Sequence, residues 1–430
     1  MSTKPVPNGH PTSSAAYKAA AAGQVAALTS LEDHVRAIPD AGAREGLQNR
    51  WVALAWLLAS FFLATAAVPL LAARYFFARP QGFNSFPGYV LCRLIGLTLV
   101  THRAMPPIED TRKRARALQL LPFRGLDKLV KVAQVTIPPL SDAARLRRPL
   151  PAPEVEGIPL PGYMLSPPGT RQGVARAAPG EKLVIYFHGG GYVDGHPLSH
   201  TFPYKIARDT RTRLFGPTYR KVLGNAALPA PLVDAYAAWE YVLSLGFEPR
   251  NIVLMGDSAG GHLCLWLAQY LTVAAALEAH RGGEADADPA SRVPGGLALC
   301  SPWCDLTLSA ESWSLLGRDF IVRHYVRHLS RACLRYYTEA AWYATPISPV
   351  FAPEGYWRPF AHMPVFVSYG QDEALADEDK SVIAAMRRDG VDVRVFEEPA
   401  GLHVGPITPW SLPSAYEGFA KGVIGVLADL

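Results

Sequence analysis

Two short strings in this chain carry residues that could do chemistry together: His188-Gly189-Gly190-Gly191 and, seventy positions after its histidine, the serine of Gly256-Asp257-Ser258-Ala259-Gly260. Gly-x-Ser-x-Gly describes a sharp strand-to-helix turn that exposes a serine hydroxyl at the edge of a sheet. The flanks agree with that reading. Ile252-Val253-Leu254-Met255 is an apolar run suited to a buried strand, and the stretch from His262 to Leu271 is helical in composition with no breaker. Gly256 and Gly260 are needed because the turn is strained and a Cβ there would meet neighbouring backbone. Ser258 is therefore expected to be a nucleophile.

The glycine run follows Leu183-Val184-Ile185-Tyr186-Phe187, a second buried strand, so it too sits at a strand's C-terminal end. Its backbone N–H groups point into a site instead of a ladder. Those of Gly189 and Gly190, with that of Ala259, are expected to hold a developing oxyanion, and Gly191 completes the loop. A phosphate-binding loop would need a Lys-Ser/Thr pair or a second spaced glycine pattern, and Tyr192-Val193-Asp194 supplies neither. His188 is expected to brace this loop, and His262 to pack within the helix after the serine.

A serine so placed needs a base and an acid, which follow it in the order Ser, Asp or Glu, His. Asp372 comes directly after the strand-like run Val365-Phe366-Val367-Ser368-Tyr369 and is the expected acid. Asp377, Glu378 and Asp379 are rivals, but their position suits the negatively charged first turn of a helix. The chain has twelve histidines, and His403 alone lies beyond Asp372, in a loop after a further strand over residues 391–396. His403 is the expected base. No metal or organic cofactor is required by this set.

These residues together resemble the hormone-sensitive-lipase branch of the α/β-hydrolases, which includes arylacetamide deacetylase and many microbial and fungal esterases. The resemblance runs over roughly residues 180–425 and includes Tyr219-Arg220, the segment Pro229-Ala230-Pro231-Leu232-Val233-Asp234, and Ser301-Pro302-Trp303-Cys304-Asp305. The wording is closest to fungal members. Two departures lie beside the site: Lys221-Val222-Leu223 replaces the usual Ala-Pro-Glu, and Val404-Gly405-Pro406 replaces the aromatic after the histidine. The resemblance implies an α/β-hydrolase fold with a mostly parallel sheet and a helical cap drawn from residues 102–175 and about 306–360. It implies a carboxylic-ester hydrolase acting on a small lipophilic ester, with Tyr192 and Trp303 near the substrate pocket. Amide cleavage of the arylacetamide or arylformamide type is the alternative on the same residues. A silent receptor on this fold would have lost the histidine.

The remaining segments bear on placement. Residues 51–73 contain no charge, long enough to span a bilayer, so a single-pass anchor over 51–77 is expected, following a disordered tail over 1–50. A buried core helix is the other reading of that run. Three arginines flank it on each side within twenty residues, so orientation is undecided. The resemblance to arylacetamide deacetylase leans toward the endoplasmic reticulum. Residues 86–101 form a second apolar run, too short to span, expected at the interface or in the cap. Residues 101–148 hold eleven Lys or Arg against four Asp or Glu, which suits anionic lipid, or equally a solvated helix face. Nothing interleaves aromatic residues with that charge in the manner of a nucleic-acid module. Nine prolines between 137 and 168 suggest an extended connector, with the catalytic domain expected over 176–430. Five cysteines without metal spacing read as buried hydrophobes or free thiols.

Overall fold

The apolar runs Leu183–Phe187 and Ile252–Asp257 are buried at every position because both faces of their sheet are covered. In the computed structural model, which describes residues 50–78, 80–101, 130–140, 155–222, 226–281, 292–314 and 319–430, eight strands form one sheet. In chain order they are β1 (Lys131–Ile137), β2 (Leu160–Ser166), β3 (Leu183–Phe187), β4 (Arg213–Pro217), β5 (Ile252–Asp257), β6 (Gly296–Cys300), β7 (Val365–Gly370) and β8 (Val393–Glu398). Their spatial order is β1-β2-β4-β3-β5-β6-β7-β8. The β1–β2 and β2–β4 pairs are antiparallel, and every other neighbouring pair is parallel. The mostly parallel sheet agrees with the sequence reading.

Among the described residues two helices precede the sheet, α1 (Arg50–Ala78) and α2 (Phe86–Thr101), and those that follow are α3 (Phe202–Thr210), α4 (Ala230–Ser244), α5 (Ala259–Arg281), α6 (Arg323–Cys333), α7 (Ala376–Arg388) and α8 (Pro413–Asp429). Alternate strand residues face opposite layers. Val184, Tyr186, Val253 and Met255 pack with Phe202 and Ile206 of α3 and Phe419 and Val423 of α8. Leu183, Ile185, Leu254 and Leu299 pack on the other face with Trp239 of α4 and Leu263 and Trp266 of α5. The strand order reverses direction between β3 and β5, since β4 lies to one side of β3 and β5 to the other. The C-terminal ends at such a switch point are where open α/β sheets bind ligands.

Three expectations change here. The domain expected to begin at 176 begins earlier: β1, which ends where the proline-rich stretch begins, and β2, which lies within it, join the sheet edge in register from Lys131↔Ser166 to Ile137↔Leu160. The charge-free run forms α1, a helix of 29 residues with Pro69 inside it, but among the described residues no helix is long and apolar enough to cross a membrane. The single-pass anchor, and the endoplasmic-reticulum placement that leaned on it, therefore find no support in the fold. Instead the last turns of α1 join α2: Tyr75 lies 5.3 Å from Phe86 and 5.4 Å from Tyr89 between ring centroids. α2, in turn, is docked onto the protein body, because Asn84 just before it donates to the carbonyls of Pro409 and Ser411. Phe62, Leu70 and Phe77 of α1 remain exposed. The tail over 1–49 and most of the basic stretch lie outside the described residues. All five cysteines are free and buried.

A Cβ on Gly260 would overlap the carbonyl of Phe187, whereas one on Gly425 in α8 would meet only Arg394 Nη1 at 3.6 Å. Gly260→Ala is expected to cost about 3 kcal/mol through overpacking, while Gly425→Ala should stabilise by about 0.5–1 kcal/mol through reduced backbone entropy. Urea-unfolding midpoints of the two variants check both signs.

Candidate active site

Ser258 is the only residue between β5 and α5, and the chain turns there in one step. Its φ is +52°, in the region that side chains rarely adopt. The turn holds because the backbone on both sides is bonded. Ser258 N–H donates to Cys300 O at 2.9 Å, and Ser258 O accepts from the amides of His262 and Trp303, each at 3.0 Å. The serine hydroxyl therefore stands partly open at the end of β5 and at the N-terminus of α5. Asp257 turns the other way: buried, it accepts from Tyr186 Oη at 2.7 Å, and burial pushes its carboxyl upward.

The glycine loop lies at the end of β3, the neighbour of β5. Gly190 has φ +109° and Gly191 φ +59°, so both amides are turned away from any ladder. Among the described residues, the N–H groups of Gly190, Gly191 and Ala259 have no backbone acceptor. Gly189 differs from expectation, since its amide is drawn to the Asp257 carboxylate, against which its Cα is also pressed. The donors left for a ligand are those of Gly190, Gly191 and Ala259. His188 braces the loop as expected. Its Nδ1 donates to Gly189 O at 2.7 Å, its ring stacks on Tyr219 at 4.5 Å, and Tyr219 Oη donates to His188 O at 2.6 Å. The remaining Nε2 accepts from Lys221 Nζ at 2.8 Å. Burial brings the Lys221 ammonium down to about 7, with Asp194 and Asp234 opposing. Sequence reading marked Lys221 only as a departure, without a role. Arg220, its neighbour, forms a forked pair with buried Asp234 at 2.6–3.0 Å, which explains the spacing of those two residues.

His403 Nε2 lies 2.9 Å from Ser258 Oγ across a separation of 145 residues. Asp372, the acid expected from the sequence, is not the carboxylate that the structure sets against His403. Asp372 is partly exposed and its amide donates to Gly401 O at 3.0 Å. The carboxylate facing His403 belongs to the next residue: Glu373 Oε1 is 3.8 Å from His403 Nδ1, both side chains being buried. Consecutive side chains leave the end of β7 in different directions, and the one turned inward is Glu373. Its other oxygen, Oε2, accepts from Ser301 Oγ at 2.7 Å and from the Gly370 amide at 2.8 Å. Ser301 Oγ also accepts from the Val404 amide at 3.1 Å, so one hydroxyl ties the acid to the histidine loop. The 3.8 Å gap is an ion-pair separation longer than a hydrogen bond, and such contacts commonly tighten when substrate binds.

Electrostatics favour a basic His403. Burial alone would lower its proton affinity, but Glu373, Asp319 and Asp257 together outweigh it and raise the imidazole above its ordinary value. The same burial, with Glu373's charge added, pushes Asp379 well up and Glu398 to about 7. Asp377, a rival for the acid, lies in the first turn of α7 and accepts from the Ser312 amide at 2.8 Å, a structural position. Tyr192 and Trp303, expected at the pocket, are both buried supports. Tyr192 Oη bonds His262 Nδ1 at 2.6 Å, and Trp303 Nε1 donates to Asp305 O at 3.1 Å. The His262 ring is thereby satisfied, its Nε2 meeting Ile347 O at 2.9 Å. The apolar groups that reach the site come from the insertion instead: Leu329 of α6 presses on Gly191, and the Phe320 ring lies 6.0 Å from that of His403.

Known proteins resemble this chain in sequence and in fold. The sequence profile of the alpha/beta hydrolase fold matches residues 184–406. An acetyl-hydrolase of Streptomyces hygroscopicus is 27% identical over 242 residues, covering 55% of this chain and 72% of the relative. A carboxylesterase/phospholipase, LipF, of Mycobacterium tuberculosis is 37% identical over 98 residues, or 22% of this chain and 26% of that protein. An esterase of the bacterial hormone-sensitive-lipase family superposes with TM-score 0.57 at 22% identity, over 80% of this chain and 98% of that one. An esterase/lipase from an uncultured bacterium gives TM-score 0.54 at 22% identity, over 78% and 96%.

Glu373→Gln is expected to lower turnover of an activated ester by roughly 10⁴-fold, the scale seen when a triad acid is replaced by its amide. Asp372→Asn should stay within about threefold of the parent, since Asp372 is partly exposed and the carboxylate facing His403 is that of Glu373. Steady-state kinetics of the two variants side by side decides which carboxylate serves His403.

Proposed function

Because the chain belongs to the α/β-hydrolase fold family, in its hormone-sensitive-lipase-like branch, and is thereby a carboxylic-ester hydrolase, we propose that Ser258, His403 and Glu373 cleave a small lipophilic ester by acyl transfer to water. The observation that carries these roles is the 2.9 Å contact between Ser258 Oγ and His403 Nε2, made by a serine held at positive φ beside the glycine loop.

His403 takes the Ser258 proton on Nε2 as Oγ attacks the ester carbonyl carbon. The carbonyl oxygen becomes an oxyanion, held by the amides of Gly190, Gly191 and Ala259 and by the positive end of the α5 dipole. The imidazolium is stabilised by Glu373 and then gives its proton to the departing alkoxide oxygen, so the alcohol leaves neutral. Water, deprotonated by the same nitrogen, attacks the acyl-enzyme and returns Ser258 to its starting form. Leu329 and Phe320, from the insertion, supply an apolar wall suited to a lipophilic group. The relatives' names support an acyl group as small as acetyl.

Amide cleavage on the same residues is less well served. It depends more heavily on protonating a poor leaving group, and the raised proton affinity of His403 makes a better base and a weaker acid. A silent receptor would have no use for a base at hydrogen-bond distance from a strained serine.

Two measurements test the reading. Ser258→Ala should remove hydrolysis of p-nitrophenyl acetate, by roughly 10⁶-fold if it behaves as a serine-protease nucleophile does, together with labelling by a fluorophosphonate. Labelling that survives would mean another nucleophile. His403 must be neutral to act as base, and its folded value is raised above the ordinary 6.5. Activity is therefore expected to be full at alkaline pH and lost as pH falls through a midpoint above 6.5; a midpoint below 6.5 would contradict the electrostatic account.

A further inference from the structure

Asp319 is a buried carboxylate in the insertion, 84 residues before His403, and beyond its charge the steps proposed above give it no part. Its oxygens reach both loops that carry the reacting groups. Oδ2 accepts from the Ala374 amide at 2.9 Å, next to Glu373. Oδ1 accepts from the Phe320 amide at 2.7 Å and from the His403 amide itself at 3.4 Å. The neighbouring Phe320 is wedged in place. Its ring lies 6.0 Å from His403 and 5.2 Å from Trp410, while its backbone rests on Gly96 of α2, where an added Cβ would sit 3.4 Å away.

We propose that Asp319 is a positioning residue of this active site: one carboxylate that joins the histidine loop to the acid loop, adds a second negative charge beside His403, and is seated by α2 through Phe320. The inference rests on His403 acting as the base. The geometry separates two effects. Without the two amide acceptors, the His403 and Ala374 backbones lose their common anchor, and the Ser258–His403–Glu373 alignment loosens. Without the charge, the imidazolium is left with Glu373 and Asp257 as its opposing groups.

Among the described residues, the charged or titratable groups around Asp319 and His403 include Asp257 at the end of β5, Glu373 and Asp379 at the end of β7 and start of α7, Glu398 at the end of β8, and Cys92 with Arg93 on α2. Cys92 is raised to about 12 by burial, so it stays a neutral thiol in the working range. Asp319 itself is raised to about 6 by burial, and the positive form of His403 acts against that rise. Above that value Asp319 is charged where the enzyme is active.

Three variants of the full chain test this, each read by pH profiles of p-nitrophenyl acetate hydrolysis and by thermal melting. Asp319→Asn keeps the shape but removes the charge and one acceptor. The acid limb of kcat/KM is expected to move down by about half to one pH unit, as for a lost neighbouring charge, and kcat to fall about tenfold with KM little changed. Asp319→Glu keeps the charge and lengthens the arm, so the acid limb should stay while kcat falls. His403→Ala is the reference for the base. An Asp319→Asn enzyme with an unmoved acid limb and kcat within twofold of the parent overturns the proposal while leaving the base assignment standing. A His403→Ala enzyme that retains activity overturns both. If Asp319→Asn does not fold, the outcome rests on Asp319→Glu: an acid limb displaced by that variant, or an unchanged kcat, overturns the proposal.

Discussion

A buried imidazole facing a buried carboxylate is the constraint on which the rest of this site depends. Removing a histidine from water disfavours its charged form, and a base that cannot hold a proton cannot take one from a serine. Glu373 reverses that, but a carboxylate inside a protein needs partners of its own. One oxygen takes two donors, Ser301 Oγ and the Gly370 amide, leaving the other to face His403. Burial and the Glu373 charge push the neighbouring acids toward their neutral forms: Asp379 is pushed well up, and Glu398 is raised to about 7.

The sheet supplies the coordinates for that pair. Four strand ends, those of β3, β5, β7 and β8, deliver the glycine loop, the serine, the acid and the histidine to one edge. Two of them flank the point where strand order reverses, so the crevice forms without any insertion. Close approach then becomes the limiting factor. Gly256 and Gly260 are required because the serine turn runs against the β3 end and against itself, and no side chain fits between. The helix that begins at Ala259 adds an aligned dipole to the same spot.

The family profile begins at residue 184, yet the elements before it bear on the site. α2 rests on Phe320, and the chain just before it is bonded to the 409–411 segment that follows His403. The apolar content of that region therefore has a structural use in part: it covers the back of the histidine loop. α1 makes less use of its apolar surface, since Phe62, Leu70 and Phe77 are exposed.

The sequence by itself determined which motifs must come together. A serine between two glycines after an apolar strand, a three-glycine run after another, and a single late histidine admit few arrangements, because each motif is a local steric requirement legible in consecutive residues. The bracing place of His188 and the packed place of His262 followed from the same local reading, whereas the pairing of Arg220 with Asp234 needed the structure. The tertiary structure decided what depends on direction and distance. Asp372 and Glu373 are adjacent acids after one strand, and only the path of the backbone beyond Gly370 turns the second inward. Asp319 stands 84 residues from the amide it accepts and has no local pattern to mark it. The strands β1 and β2 were hidden because proline-rich surroundings resemble a connector until a partner strand appears across from them. The charge-free helix α1 shows the same limit, for an apolar run states that something must cover it and not what the cover is.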